Sequence, residues 1–139
     1  MERVDIVRAL EENLLSFYAV MKEKGIRPEI KLPEDPVYRE LDTGAVNRIF
    51  SNIINNALKY TDGDFCVTMS ADGCITFTNR AKNLNAVIVG RLFDRFYTVE
   101  TSRNSTGLGL SIAKLLIERM GGNICAKYKD ESLSIIVTF

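Results

Sequence analysis

Three asparagines, a lysine and a tyrosine lie within one short stretch of the chain, residues 52–60. At helical spacing Asn52, Asn56 and Lys59 follow an i, i+4, i+7 pattern and share one face, opposite an apolar stripe. Mg²⁺ prefers oxygen ligands and keeps several waters, so this face could hold a hydrated cation and a phosphate. Taken alone, this pattern is better explained as a solvated helix face. Asparagine is a poor helix former, however, so three of them in one stretch strengthen the case for a functional role.

Two glycines, Gly107 and Gly109, lead directly into a predicted helix. Such a turn lets backbone N–H groups point at an anion near the helix N-terminus. Glycine suits this position because a side chain would block the close approach of the backbone. A flexible loop entering a helix is the alternative, and this short motif alone does not decide between the two.

Phe93 and Phe96, three residues apart, could anchor a long loop to the body of the protein. Arg95 between them would then be available to reach a phosphate. Ordinary helix packing with a surface arginine explains the same residues equally well.

Hydrophobic spacing predicts the elements that position these residues. Helical periodicity runs over residues 4–21, 46–58 and 108–120, and Asp42 or Thr43 would cap the second helix. The segment 79–105 is irregular apart from a helical patch near 87–96, and loops of this length are usually functional. Helices on one face of a mixed sheet, a two-layer α+β sandwich, would satisfy this order. Extended segments are predicted over residues 30–32, 36–39, 65–69, 74–78, 124–127 and 133–139.

Composition narrows the possible functions. A chain of 139 residues is the size of one domain, residues 1–139, and its 18 basic and 18 acidic residues predict no nucleic-acid partner. No apolar run reaches the roughly 20 residues of a membrane helix, and no secretory signal is expected. The three cysteines are expected to be buried, reduced thiols. The chain has no histidine, so a mechanism that needs one must import it.

Taken together and in this order, the three stretches resemble the N box, F box and second glycine box of sensor histidine kinases. The matches are NxxxNAxKY at 52–60, FxRFY at 93–97 and TGLGLS at 106–111, and the resemblance covers essentially the whole chain. It implies the Bergerat fold that is shared with gyrase-type, Hsp90-type and MutL-type ATPases. That fold is a two-layer sandwich of a mixed, mostly antiparallel sheet, with three main helices on one face and an ATP lid over about 81–105.

The resemblance also implies roles for individual residues. Asn56 would coordinate the Mg²⁺ that bridges the ATP phosphates, Asn52 and Lys59 would contact phosphates, and Tyr60 would lie against the nucleotide. Arg95, with Asn56 and Lys59, would serve catalysis. The nucleotide-binding residues of the second glycine box would be Thr106, Gly107, Leu108 and Gly109.

The family transfers the γ-phosphoryl group of ATP to a histidine on a separate helical-hairpin dimerisation domain. Catalysis of this kind consists mainly of positioning and charge neutralisation. A chain without histidine fits this arrangement, because the phosphoacceptor lies elsewhere. The resemblance thus implies a cytoplasmic catalytic domain, itself outside the membrane, within a membrane-anchored protein that passes its phosphate to a response regulator.

One departure from the family concerns the adenine end of the site. The usual DxGxG of the first glycine box is replaced by TNRAK at 78–82, so Asn79 stands where an aspartate would accept the adenine amino group. An amide oxygen can still accept this hydrogen bond, but without the negative charge the bond would be weaker by about 1 kcal/mol. Ala81 and Lys82, in place of glycine, would narrow the pocket.

Other readings remain open on the sequence. The altered box would suit a nucleotide-binding regulatory module of the same fold that has lost catalysis. An ATP-hydrolysing clamp would need a glutamate one helical turn before the Mg²⁺ asparagine, where Asn52 cannot act as a base. A serine kinase of the anti-sigma type is compatible with the fold alone.

Overall fold

The computed structural model describes residues 1–95, residue 97 and residues 108–139. Its α-helices are α1 Ile6–Ser16, α2 Tyr18–Glu23, α3 Thr43–Tyr60, α4 Ala86–Val89 and α5 Gly109–Arg119. Its strands are β1 Glu2–Asp5, β2 Glu29–Lys31, β3 Tyr38–Leu41, β4 Cys66–Met69, β5 Cys74–Arg80, β6 Asn123–Lys129 and β7 Ser132–Thr138.

Five strands form one mixed sheet in the order β2-β4-β5-β7-β6. Only β2 and β4 run parallel; the other three pairs are antiparallel. The two predicted hairpins, β4–β5 and β6–β7, are therefore confirmed. β5 is the central strand of this sheet and pairs with β4 on one side and β7 on the other.

One face of the sheet carries the helices. Along β5, Ile75 and Phe77 are fully buried whereas Thr76 and Thr78 are half-buried, as expected for a sheet covered on one side. Helix α3 lies between α1 and α5 in the helical layer, and the Phe50 ring lies 6.3 Å from that of Phe77. The apolar stripe predicted for α3 is fully buried: Val46, Ile49, Phe50, Ile53, Ile54, Ala57 and Leu58.

The ends of α3 follow the sequence signals. The Asp42 carboxylate accepts a hydrogen bond from the Ala45 N–H at 2.8 Å and caps the helix. Its last turn ends at Thr61, whose N–H donates to the Ala57 carbonyl.

The first helix begins later than predicted. Val4 fits the helical spacing, yet it lies in β1, which pairs antiparallel with β3 as a separate two-stranded sheet. Asp5 then caps α1, accepting a hydrogen bond from the Val7 N–H at 3.1 Å. The prediction failed because the pairing of Val4 with Arg39 is non-local.

Gly121 and Gly122 end α5 as predicted. Gly121 has φ +82°, a conformation that suits glycine. A Cβ on Gly122 would lie 2.5 Å from the Thr138 carbonyl oxygen, so a side chain there cannot be accommodated without displacement. The turn between α5 and β6 therefore packs directly on β7.

The irregular segment also begins later than predicted. β5 continues through Asn79 to Arg80, and the helical patch expected near 87–96 is confined to α4, followed by turns at 91–95. The expected burial of the cysteines is wrong: Cys66, Cys74 and Cys125 are free and half-buried. Burial and the Glu29 carboxylate raise the pKa of the Cys66 thiol. None of the helices in the described ranges is both long and apolar enough to cross a bilayer.

Candidate functional site

The polar residues of α3 occupy a protected flank of the helix. Asn52, Asn56 and Lys59 are each half-buried, whereas Asn55, one position before Asn56, is exposed. Tyr60 is half-buried at the last turn. The sequence therefore predicted the shared face, and the structure places that face against the rest of the protein.

One hydrogen bond joins this face to the second glycine box. Asn52 Nδ2 donates to the Gly109 carbonyl oxygen at 3.1 Å. A Cβ on Gly109 would lie 4.0 Å from Asn52 Cβ, with nothing nearer, so the space beside this glycine is open. The two motifs, distant in sequence, are thus adjacent in the fold.

Helix α5 starts at this contact and presents its N-terminus there. Leu108 is its N-cap residue and makes no side-chain cap hydrogen bond. The first backbone N–H groups of a helix have no partner within the helix, and with the helix dipole they favour an anion. Leu108 and Gly109 therefore lie at this helix N-terminus, while Thr106 and Gly107 lie outside the described residues.

The F box is described in part. Phe93 packs on the core as a partly buried side chain, and Lys114 Nζ of α5 lies 5.7 Å from its ring centroid. Phe93 therefore lies against the core, which suits both the loop-anchor and the ordinary-packing interpretation, whereas Phe96 lies outside the described residues. Arg95 is exposed in the turn that follows.

Asn79 is buried, with 3% of its surface exposed. Among the described residues it is the one polar residue that is buried. It follows Ile75 and Phe77 in the buried row of β5 and so faces the helical layer. Its Nδ2 donates to the Arg80 carbonyl oxygen at 3.2 Å. The amide oxygen accepts no hydrogen bond from a described residue.

Two aspartates that sequence reasoning treated only as a helix stop fix the surroundings of Asn79. Asp64 Oδ1 accepts a hydrogen bond from the Arg80 N–H at 2.6 Å. Asp62 Oδ2 accepts one from the Lys82 N–H at 2.7 Å, and the Asp62 N–H donates to the Arg80 carbonyl at 2.9 Å. The only sequence signal was a pair of carboxylates directly after the helix. They tie the end of α3 to the end of β5.

Ala81 is held by β6, on the side away from the Asp62 and Asp64 contacts. It is buried, and its carbonyl oxygen accepts a hydrogen bond from the Tyr128 hydroxyl at 2.7 Å. The segment in place of the usual glycines therefore has fixed partners on both flanks, the α3 end and the β6–β7 hairpin.

A family model for histidine kinase-, DNA gyrase B- and HSP90-like ATPases matches residues 41–138. The match spans α3, β5 and α5, the elements that carry candidate site residues. The chain belongs to this ATPase family.

The chain is similar to sensor histidine kinases in sequence and in fold. The sensor histidine kinase YcbM of Bacillus subtilis is 36% identical over 128 residues, covering 86% of this chain and 41% of its own length. The catalytic domain of histidine kinase ThkA has the same fold, with a TM-score of 0.85 at 22% identity, over 99% of this chain and 94% of that domain. The resemblance to sensor histidine kinase catalytic domains is thus confirmed, as is the two-layer α+β fold.

Full-length ShkA, solved in complex with AMPPNP, is 26% identical with a TM-score of 0.77. It aligns with 96% of this chain over 29% of its own length. The chain accordingly spans less than half the length of the curated relatives it matches.

Proposed function

We propose that the chain binds Mg-ATP beside α3 and donates the γ-phosphoryl group to a histidine on a separate dimerisation domain, as the catalytic part of a two-component sensor histidine kinase. The observation that carries this proposal is the hydrogen bond from Asn52 to the Gly109 carbonyl. This hydrogen bond joins the polar face of α3 and the start of the glycine box into one surface. A nucleoside triphosphate would contact both parts.

At the phosphate end, cations and backbone N–H groups converge on one anion. Lys59 supplies positive charge from α3, and the Leu108–Gly109 backbone supplies N–H groups and the positive end of the α5 dipole. Asn52 holds α5 in place and presents its amide to the phosphates. Arg95, on the loop that Phe93 anchors, neutralises charge on the transferred group. Thr106 and Gly107 complete the glycine box.

The residues present fit a magnesium ion that arrives with the nucleotide. Among the described residues, no group of three or more acidic, cysteine or histidine side chains could hold a metal by itself. The half-buried amide of Asn56 offers one oxygen, a ligand that Mg²⁺ accepts alongside phosphate oxygens and water. When bound, the ion would neutralise charge on the phosphates; Asn56 would hold it on the α3 face.

At the adenine end, Asn79 would accept a hydrogen bond from the adenine amino group, with Tyr60 against the nucleotide. The Asn79 side chain lies on the buried face of β5, and its amide oxygen accepts no hydrogen bond from a described residue. The Asp62 and Asp64 hydrogen bonds keep its strand end fixed. The AMPPNP complex of ShkA supports a nucleotide at this fold.

The phosphate acceptor and the onward partner would come from outside this chain, which contains no histidine. Its own dimerisation hairpin in the longer protein would supply the acceptor, and a response regulator would receive the phosphate. The domain would work in the cytoplasm, at the inner end of a membrane-anchored sensor.

Nucleotide titration tests the proposal. TNP-ATP binding by the wild-type chain should be tight with Mg²⁺ and weaker in EDTA. Asn56→Ala should lose the gain from Mg²⁺, whereas Asn55→Ala, at the exposed neighbouring position, should keep it. Equal binding by all three proteins with and without Mg²⁺ would contradict the site.

A nucleotide-binding regulatory module without catalysis is the second candidate, favoured by Asn79 in place of an aspartate. It would bind nucleotide with the same dependence on Asn56 but transfer no phosphate. Phosphotransfer to the dimerisation hairpin separates the two candidates.

A further inference from the structure

The helical layer leaves one edge of the sheet uncovered. β2 is the edge strand, and Ile30 pairs in register with Val67 on β4. Both side chains point to the helical side, because register partners share a face. Val67 is fully buried, yet Ile30 is 42% exposed. The layer of α1, α3 and α5 therefore ends one strand short of the sheet.

Apolar side chains of α1 and α2 face the same gap. Leu15 is 73% exposed and Tyr18 is 58% exposed. With Ile30 they line a groove of about 870 Å³ whose floor includes the buried Leu14 and Met21. Exposed apolar side chains gathered in one groove, rather than scattered, are a mark of an interaction surface.

The rim of this Leu15–Ile30 groove is acidic. Three acidic residues and one basic residue line it: Glu11, Glu12, Glu34 and Arg8. The Arg8 guanidinium pairs with Glu12 at 3.1 Å. Glu11 and Glu34 make no ion pair with any residue in the described part of the chain. The groove therefore presents two carboxylates, one on each wall, to whatever lies in it.

We propose that the Leu15–Ile30 groove is a docking site for an amphipathic helix of a partner protein, with an apolar stripe flanked by lysines or arginines. A fourth helix beside α1 would extend the helical layer over β2 at the usual spacing of about 8–10 Å. Its apolar stripe would cover Leu15, Tyr18 and Ile30, and its basic flanks would meet Glu11 and Glu34.

An added strand fits the edge less well than a helix. β2 has only three residues, and Pro28 and Pro33 flank it on either side. Proline lacks the N–H that a sheet ladder needs, so the free edge offers few hydrogen-bonding groups to an extended peptide. The apolar groove beside it is the larger binding surface.

Model helices test this proposal on the full chain. The probe is a fluorescein-labelled peptide of leucine and lysine, about four helical turns long, with leucines on one face. The control is a peptide of the same pattern with glutamate in place of lysine. Fluorescence anisotropy should show binding of the lysine peptide only, and Leu15→Ser with Tyr18→Ser should abolish it.

Charge reversal supplies the matched control. Glu11→Lys with Glu34→Lys should weaken binding of the lysine peptide by about tenfold or more. Glu40→Lys with Glu118→Lys makes the same change in net charge at exposed positions outside the groove and should leave binding unchanged. All of these substituted positions are exposed, so thermal unfolding should confirm that each variant is folded.

Three results would overturn the proposal. Both peptides could bind equally, or the control pair could weaken binding as much as the groove pair, which would mean nonspecific attraction. Sedimentation could instead show a dimer that Leu15→Ser dissociates; the groove would then be occupied by a second copy of this chain.

Discussion

Asn52 and Gly109 are 57 residues apart in the chain and joined by one hydrogen bond of 3.1 Å, from the Asn52 amide to the Gly109 carbonyl oxygen. The donor lies mid-way along α3, and the acceptor is the first residue of α5. The bond fixes the N-terminus of one helix against the polar flank of the other. The geometry of the proposed phosphate end therefore depends on this contact.

Replacing Asn52 by alanine should weaken this contact measurably. Alanine is the better helix former, so the matched control is Asn55→Ala, which gains the same propensity at an exposed position. We expect the free energy of unfolding of Asn52→Ala to lie about 1 kcal/mol below that of Asn55→Ala. Urea denaturation measures the difference, and nucleotide affinity should fall only in Asn52→Ala. Equal stability of the two variants would mean that the bond contributes nothing.

Gly109→Ala separates folding from ligand binding. The added methyl group would lie 4.0 Å from its nearest neighbour, Asn52 Cβ, so the protein should be no less stable than wild type. Nucleotide affinity should nevertheless fall by about tenfold, because the methyl group blocks the approach of phosphate to the backbone. Gly44→Ala, with a methyl group in ordinary contact at 3.4 Å from Asp42, should leave affinity unchanged. Undiminished binding in Gly109→Ala would place the phosphates elsewhere.

Asn79→Asp should change stability and affinity in opposite directions. The carboxylate cannot donate to the Arg80 carbonyl as the amide does at 3.2 Å, and it would be buried, so the free energy of unfolding should fall. ATP should bind more tightly, by about fivefold for a gain of about 1 kcal/mol. Calorimetry with ATP and GTP measures both the affinity and the preference for adenine. Unchanged ATP affinity would show that the adenine is read by other groups.

Asp64 offers a test of the link between α3 and β5. Its carboxylate accepts the Arg80 N–H at 2.6 Å, and an asparagine oxygen could do the same. Asp64→Ala should therefore lower the free energy of unfolding by about 1 kcal/mol and speed hydrogen exchange at the Arg80 amide, whereas Asp64→Asn should largely preserve both. Similar exchange rates in the two variants would show that the side-chain bond does not hold this strand end.

Local signals predicted much of the fold. The apolar stripe of α3 and the cap at Asp42 located that helix because both depend on residues within a few positions of each other. β1 was missed because Val4 suits a helix and a strand equally, and only its pairing with Arg39 decides. At Asn79 a polar side chain ends the apolar alternation and so predicts a loop, although β5 continues through it.

The candidate site divides in the same way. The shared face of Asn52, Asn56 and Lys59 follows from helix geometry, and the structure brings it to Gly109. The positioning roles of Asp62 and Asp64 could not be predicted from local sequence. Their carboxylate oxygens accept hydrogen bonds from backbone N–H groups 16 and 20 residues further along the chain. The roles of Asn56, Lys59, Tyr60 and Arg95 toward a nucleotide remain predictions.

Phosphotransfer tests the central claim most directly. The 139-residue chain would be incubated with Mg²⁺, ATP labelled at the γ-phosphate and the purified dimerisation hairpin of its own full-length protein. We predict an acid-labile label on the hairpin's histidine, absent when the hairpin is omitted and lost with Asn56→Ala but kept with Asn55→Ala. Nucleotide binding without any phosphohistidine would contradict the kinase account and leave the regulatory module. Steady-state ATP hydrolysis by the chain alone would favour a clamp ATPase instead.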